Sequence, residues 1–425
     1  MEHPHTRFLN EHFEKALILE EPDPGLDDYL REQDIEPERV PKPECYDQEA
    51  MVERLREGQH DLIYKRSKFV VDEAVVEASD NLAGVLVQND PVSNGRSVVE
   101  MVVGEMILLS RRLYTANESG GRHRWTKDST RRYELRDKTL SIIGLGNIGK
   151  QLARLADSFG MDIYFYDKSD VAQEVGTTLG WTSCGSISEA FRKGDFVTVH
   201  VSAEDPQGQS NEGLLGYDHF RQLGADRPDN SPRAFINAAR GFLYNPADLK
   251  RAVEKDHVRA AAVDVFPEEP GSEDEDWTNP YAELDNVFTT PHIGAATQEA
   301  QPRIASRMAT STRLLNEQGT VRDTVFGQGQ TIGVNAEPPH WILAVVHSDV
   351  RGTKKAIDDT IYEAGASNLQ SNHRDFPDLG IAYDVNAIDQ PLSDEQLHNL
   401  VDEAVSLSDD PRAIRTLRQF KVNDG

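Results

Sequence analysis

The sequence predicts a doubly wound α/β protein built on a parallel sheet, and three observations carry that prediction. Short apolar runs recur at 140–143, 163–166, 196–201, 234–237, 260–265 and 287–290, the length expected of strands buried on both faces. Helix-spaced stretches separate them, which is the pattern of strand–helix–strand crossovers. The first run passes straight into Gly144-Leu145-Gly146-Asn147-Ile148-Gly149, after which Ile148, Leu152, Leu155, Ala156 and Phe159 recur at helical spacing.

Taken in order, residues up to about position 94 alternate short apolar runs (15–19, 82–87) with helical patterns. An apolar-rich helix follows over 96–113 (VVEMVVGEMILLSRRL in its body), and the glycine-rich unit opens at Thr139. Residues 328–339 (QGQTIGVNAEPP) have glycine, proline and no periodicity, and read as a linker. Beyond it, runs at 341–347 and 380–385 and helical stretches at 354–364 and 393–406 outline a small β-α-β-β-α module. A chain of 425 residues is long enough for two or three such units, each with its own core.

Composition narrows the partners. The net charge is −28, spread along the chain with a local cluster at 272–276 (SEDED), which disfavours nucleic acid and anionic membranes and resembles the surfaces of proteins from high-salt organisms. The polar, acid-bearing start argues against a secretory or transit signal, and no apolar run approaches the ~20 residues of a membrane span. Cys45 and Cys184 stand far apart and suggest neither a disulfide framework nor a metal site, so no metal is expected and a reducing cytoplasm is.

The glycine unit carries specific chemistry. Gly144 permits the tight strand-to-helix turn, Gly146 lets a pyrophosphate approach the backbone, and Gly149 lets helix and strand pack closely. The N–H groups opened by Asn147 and Ile148 present a partial positive charge to phosphates. Asp167 ends the next strand, where a carboxylate accepts from both ribose hydroxyls and repels a 2′-phosphate, so NAD is the expected cofactor. Downstream, Asn237-Ala238-Ala239-Arg240-Gly241, Asp264-Val265-Phe266-Pro267-Glu268-Glu269-Pro270 and Pro291-His292-Ile293-Gly294 all sit near strand ends, the edge that faces the ligand crevice in a doubly wound sheet. Oxidising an alcohol by hydride transfer needs a base for its proton, and His292 fits. It also needs a cation for the substrate carboxylate and the developing carbonyl, and Arg240 fits. Glu269 suits the partner that orients the imidazole and raises its pKa.

On GLGNIG, INAARG, DVFPEEP and TTPHIG the chain resembles the D-isomer-specific 2-hydroxyacid dehydrogenases, from about position 62 to 315. The stretch 285–301 and the loop Tyr64-Lys65-Arg66-Ser67-Lys68 are similar to the family's phosphoglycerate-oxidising branch, of the serine pathway. The resemblance implies catalysis by Arg240, Glu269 and His292. It implies cofactor contacts from Gly144, Gly146, Asn147, Ile148, Gly149, Asp167, Ala238, Arg240, Asp264 and His292. It also implies that 3-phosphoglycerate is held by Arg66, Ser67, Arg240 and Lys127, the last in a Trp-x-Lys element with Trp125 that reaches a neighbouring subunit in a homo-oligomer, dimer or tetramer. Glyoxylate, hydroxypyruvate or another small 2-hydroxy acid is the alternative substrate, and a non-catalytic NAD-sensing protein the alternative class.

The implied architecture is a Rossmann-type NAD domain (95–293), a discontinuous flavodoxin-like substrate domain (1–94 with 294–327), and a ferredoxin-like ACT module (340–425) of the kind that binds amino-acid effectors. Two departures stand out. This chain runs straight through LAGVLVQNDPVSNGRSVVE, where the family has a longer glycine-rich segment, and Ser202 replaces a proline. The family's effector turn, His-x-Asn-x-Pro-Gly, reads here His347-Ser348-Asp349-Val350-Arg351-Gly352, with Ser367 or Asn368 expected opposite. Asp349 only accepts where an amide also donates, so a weak or absent serine response is expected.

Overall fold

The structure, a computed structural model, describes residues 3–66, 68–87, 94–125, 127–205, 208–270, 276–324 and 327–423. The chain forms two compact units, one of residues 90–301 and one joining 1–89 to 302–425.

The contiguous unit is built on seven strands in the order Val287–Thr289, Ala260–Val263, Ala234–Asn237, Phe196–Val199, Thr139–Ile143, Asp162–Tyr166 and Thr182–Ser183. Every pairing is parallel. Both faces are buried, and alternation along each strand divides the side chains between two cores. Leu140, Ile142, Phe196, Ile236 and Ala262 share one cluster with the helix Gly95–Arg111, through its Val98, Val99, Val102, Met106 and Leu109. Ile143, Val197, Val199, Phe235, Ala261 and Val263 share the other with Phe191, Phe220 and Leu249. The expected helix over 96–113 ends at Arg111. Arg112 then takes a left-handed conformation, and a second helix, Leu113–Gly121, begins with no buried side chain.

The discontinuous unit holds two larger sheets. A four-stranded parallel sheet runs Glu36–Arg39, Lys15–Ile18, Leu62–Lys65, Gly84–Val87, and the long helix Ala300–Gln318 packs on it through Ile304, Ala305 and Met308. The last strand stops at Val87, and the unusual run 88–93 lies outside the described residues, as do Ser67 and the acidic run 272–275. The C-terminal module is β-α-β-β-α-β. Strands His340–Ser348, Asn368–Phe376, Ile381–Ile388 and Ile414–Val422 form an antiparallel sheet, with helices Thr353–Glu363 and Asp394–Ser408 packed on one face through Ile357, Ile361, Leu400 and Val401. This is a ferredoxin-like α+β arrangement. A fifth strand, Arg7–Phe8, joins its far edge parallel to Ile414–Val422.

The stretch 328–339 is not wholly linker. Gly327–Ile332 is a strand, paired antiparallel with Val321–Thr324, and Ile332 is buried with Ile342, Val385 and Phe420 on the module's second face. Its glycines and polar residues carry no alternation, so nothing in the sequence marks it. Arg418 ties these parts together. Its guanidinium lies between the Phe13 and Phe420 rings (4.1 and 4.2 Å) and donates to the carbonyls of Asn10, Glu11, Leu315 and Asn316. Burial pulls its pKa down to about 10, which leaves it charged at neutral pH.

Candidate active site

The turn after Thr139–Ile143 has the geometry its glycines suggest. Gly144 has φ +94°, and a Cβ there would stand 2.6 Å from the His200 carbonyl oxygen. A Cβ on Gly149 would meet the Gly144 oxygen at 2.2 Å, while around Gly146, the N-cap of the helix Asn147–Ser158, nothing lies within 4 Å. Two glycines are thus fixed by the fold and the third faces open space. A helix N-terminus with clear backbone in front of it fits a dinucleotide pyrophosphate.

Asp167 follows the adjacent strand. Its carboxylate accepts from the Leu145 and Ser169 N–H groups, at 2.7 and 2.8 Å, which anchors it beside the glycine turn with acceptor capacity to spare. Its neighbour Lys168 pairs with Asp205 at 2.7 Å. The base beside Asp167 is therefore already engaged with an acid and is not free to receive a 2′-phosphate.

Three neighbouring strands of the same sheet deliver the remaining groups at their carboxyl ends. Arg240 follows Ala234–Asn237, Glu269 follows Ala260–Val263, and His292 follows Val287–Thr289. His292 Nδ1 lies 2.7 Å from Glu269 Oε2, and Glu269 Oε1 accepts from the Phe266 N–H at 3.0 Å. The hydrogen bond to Glu269 raises the pKa of His292; burial works against it, the Glu269 and Asp264 charges add to it, and Arg240 subtracts. Burial disfavours the Glu269 carboxylate, but the bonds from His292 and Phe266, with the His292 and Arg240 charges, hold its pKa below the usual range. Nε2 of His292 has no partner among the described residues, and the side chain is half exposed. This is a base with one nitrogen held and one presented.

The sequence reading missed what holds this loop. Asp264, buried and placed by the resemblance among cofactor ligands, accepts from the Thr290 hydroxyl (2.6 Å) and from the Ile293 and Gly294 N–H groups (2.8 and 2.9 Å). Within the chain it braces the turn in which His292 takes φ +53°. Gly241 is needed because a Cβ there would overlap the Phe266 carbonyl carbon at 1.9 Å, so the Arg240 and Glu269 loops touch through backbone. Asn237 shapes the first of these loops, accepting from Ala239 N–H and donating to the Arg240 carbonyl, and Ala238 lies half-buried between. Glu105, on Gly95–Arg111, is buried with neither oxygen hydrogen-bonded among the described residues. Burial first, then the Asp264 charge, pushes its pKa up to about 8, so it is protonated at neutral pH.

The expected phosphate-binding residues are placed less completely. Arg66 is exposed, its N–H held by Glu20 Oε2 at 2.6 Å, and the Lys68 N–H is held by the other Glu20 oxygen at 2.7 Å. Lys127 is exposed, and Trp125 has 94% of its surface in solvent. That excludes a core role for this indole within the chain. In the C-terminal module, His347 is buried while Asp349 and Ser367 are exposed. Through their common neighbour strand, His347 lies level with Asp375 and Asn368 level with Trp341. Six residues of strand, roughly 20 Å at ~3.3 Å each, separate the two ends. One chain does not bring His347 and Ser367 together.

Comparison with known proteins agrees with this geometry. The model of the D-isomer specific 2-hydroxyacid dehydrogenase NAD-binding domain matches residues 103–294. The D-3-phosphoglycerate dehydrogenase of Escherichia coli K12 is 33% identical over 299 residues, 66% of this chain and 69% of the relative. The Haemophilus influenzae enzyme of that name is 38% identical over 243 residues, 57% of this chain and 56% of the relative. The NAD-complexed D-isomer specific 2-hydroxyacid dehydrogenase of Lactobacillus delbrueckii shares the fold at a TM-score of 0.58 and 18% identity, over 71% of this chain and 96% of that one. The chain belongs to the D-isomer-specific 2-hydroxyacid dehydrogenase family, and its cofactor is NAD. Within that family, the Escherichia coli, Haemophilus influenzae and Saccharomyces cerevisiae relatives it matches are D-3-phosphoglycerate dehydrogenases.

Proposed function

We propose that this protein is an NAD-dependent D-3-phosphoglycerate dehydrogenase, oxidising 3-phosphoglycerate to 3-phosphohydroxypyruvate at the start of L-serine biosynthesis. The observation that carries it is the His292–Glu269 pair at 2.7 Å, on the sheet edge that also carries the glycine turn and Asp167. When bound, NAD supplies the hydride acceptor. His292 takes the substrate hydroxyl proton on Nε2, while Glu269, bonded to Nδ1, fixes the tautomer and stabilises the imidazolium that forms. Arg240 grips the carboxylate through paired N–H donors and polarises the oxygen as it becomes a carbonyl. In the reductive direction the same imidazolium returns the proton.

Arg66, Ser67 and Lys127 are our assignment for the phosphate. The exposed Trp125 and Lys127 suit an arm that completes the site of a second copy in a homo-oligomer, and the C-terminal module is read as an ACT-type effector domain. The deciding assay follows NAD reduction with 3-phosphoglycerate, glycolate or glycerate as substrate, at low and multimolar salt. Arg66→Ala should raise KM for 3-phosphoglycerate far more than for the unphosphorylated acids. Equal effects would move the assignment to a small 2-hydroxy acid. Comparable kcat/KM with NADP would contradict the reading of Asp167.

A further inference from the structure

Three side chains distant in sequence converge inside the C-terminal module. His347 is on strand His340–Ser348, His373 on the edge strand Asn368–Phe376, and Asp384 on Ile381–Ile388 between them. Asp384 Oδ2 lies 3.0 Å from His347 Nε2 and 2.8 Å from His373 Nδ1, and the three atoms are all within 4.8 Å of one another. Asp384 and His347 are buried, and the His373 side chain is 32% exposed, which leaves one side open to water.

The outer nitrogens decide what this cluster is for. His347 Nδ1 is 2.8 Å from the Ser348 carbonyl oxygen, which can only accept, so Nδ1 carries a proton. His373 Nε2 is 2.6 Å from Asp375 Oδ1, which fixes its proton in the same way. Neutral rings so oriented turn two lone pairs toward one carboxylate oxygen, an arrangement that repels itself unless a cation lies among the three atoms. A carbonyl or carboxylate behind each imidazole is also how metal-binding histidines are oriented. Tetrahedral zinc, with bonds of about 2.0–2.1 Å, sets its ligand atoms roughly 3.3 Å apart, near the 3.0 and 2.8 Å that separate Asp384 from the two imidazoles.

We propose that His347, His373 and Asp384 bind a divalent transition-metal ion, zinc or a neighbour in the series, with solvent in the remaining position. Lys354 occupies the other Asp384 oxygen at 3.0 Å and also pairs with Asp358 at 2.8 Å. Two carboxylates (Asp384, Asp358) thus pair with one ammonium while a third, Asp375, stands behind His373, and the net negative charge suits a dication. The ion cross-links three adjacent strands. It engages His347, the residue expected to meet an amino-acid effector. No metal was expected from the sequence, because the three residues follow no ligand-spacing pattern.

The test uses the full chain, stripped with chelator and titrated with Co²⁺, whose d–d absorption reports tetrahedral nitrogen and oxygen ligation. One Co²⁺ per chain is expected, displaced by Zn²⁺, with a rise in melting temperature. His373→Ala, at an exposed edge position, should keep the fold and the basal activity but weaken uptake by at least about 10²-fold. Asp375→Asn should weaken it by roughly tenfold, as loss of an outer partner does. Absence of a saturable Co²⁺ spectrum, or undiminished uptake by His373→Ala, would overturn the proposal and leave the cluster held by hydrogen bonds alone.

Discussion

Two of the molecule's histidine–carboxylate sites, His292–Glu269 and His347–His373–Asp384, differ in what the rings have left over. His292 gives one nitrogen to Glu269 and keeps the other unpartnered in a half-exposed loop. His347 and His373 have both nitrogens committed, around an acid with no solvent exposure. On the proposed reading, the same pairing serves proton transfer in the first case and fixed geometry in the second. What separates them is the free nitrogen and access to it, not the residue types.

Exchanging the roles of the two sites should fail, and that gives the strongest test. His292→Ala should lower turnover by roughly 10²–10⁴, whereas His373→Ala should leave it unchanged. Near-normal turnover in the first variant would end the catalytic assignment. For stability the order reverses. Asp384→Asn in chelated protein removes the carboxylate shared by Lys354 and two imidazoles, a loss of about 1–3 kcal/mol for buried polar groups left without their acceptor. Glu269→Gln, at a loop, should stay within about 0.5 kcal/mol of wild type in denaturant unfolding.

Glu269→Gln sharpens the comparison through pH. Glu269 raises the His292 pKa, so its removal lowers that pKa. The acid limb of kcat/KM for oxidation, which needs neutral His292, should then move to lower pH, and reduction near neutrality should slow for lack of imidazolium. An unmoved limb would mean that another group titrates. The smallest effect expected is that of serine. With His347 engaged by Asp384, a serine titration should change activity little, and strong inhibition at micromolar serine would show the altered turn to be a working effector site.

Much of the fold is legible in the amino-acid order, for a physical reason. The inner strands of the seven-stranded sheet are buried on both faces, so they appear as apolar runs. Each run marked from 140 to 290 opens on, or one residue after, the first position of an observed strand. The short edge strand Thr182–Ser183, exposed at both residues, has no such run and was not marked. The glycine turn was legible because Gly144 and Gly149 answer steric demands of the fold, seen in their contacts, while Gly146 keeps the space in front of the helix open. Strand Asn368–Phe376 was not legible. It is an exposed edge strand (NLQSNHRDF) with no apolar face to pattern it. Asp264 was noticed, but its work as a brace depends on N–H groups of a loop that a sequence does not locate. The His347–His373–Asp384 cluster depends on the register of three strands, and Arg418 on four carbonyls from two distant segments.

The pairing of Arg7–Phe8 with Ile414–Val422 also sets an order on synthesis. Residues 90–301 emerge as one continuous stretch and contain their whole sheet, so they can fold while the ribosome is still adding the C-terminal residues. The first strand has no such opportunity. It must wait, unpaired, for a partner about 400 residues downstream, and Arg418 arrives with that partner to fasten Asn10 and Glu11. A chain released before position 414 would carry a finished nucleotide-binding unit beside an open sheet edge. Quality control in the cell would meet truncated products as half-native molecules with two strands left unpaired on one side, not as unfolded chains.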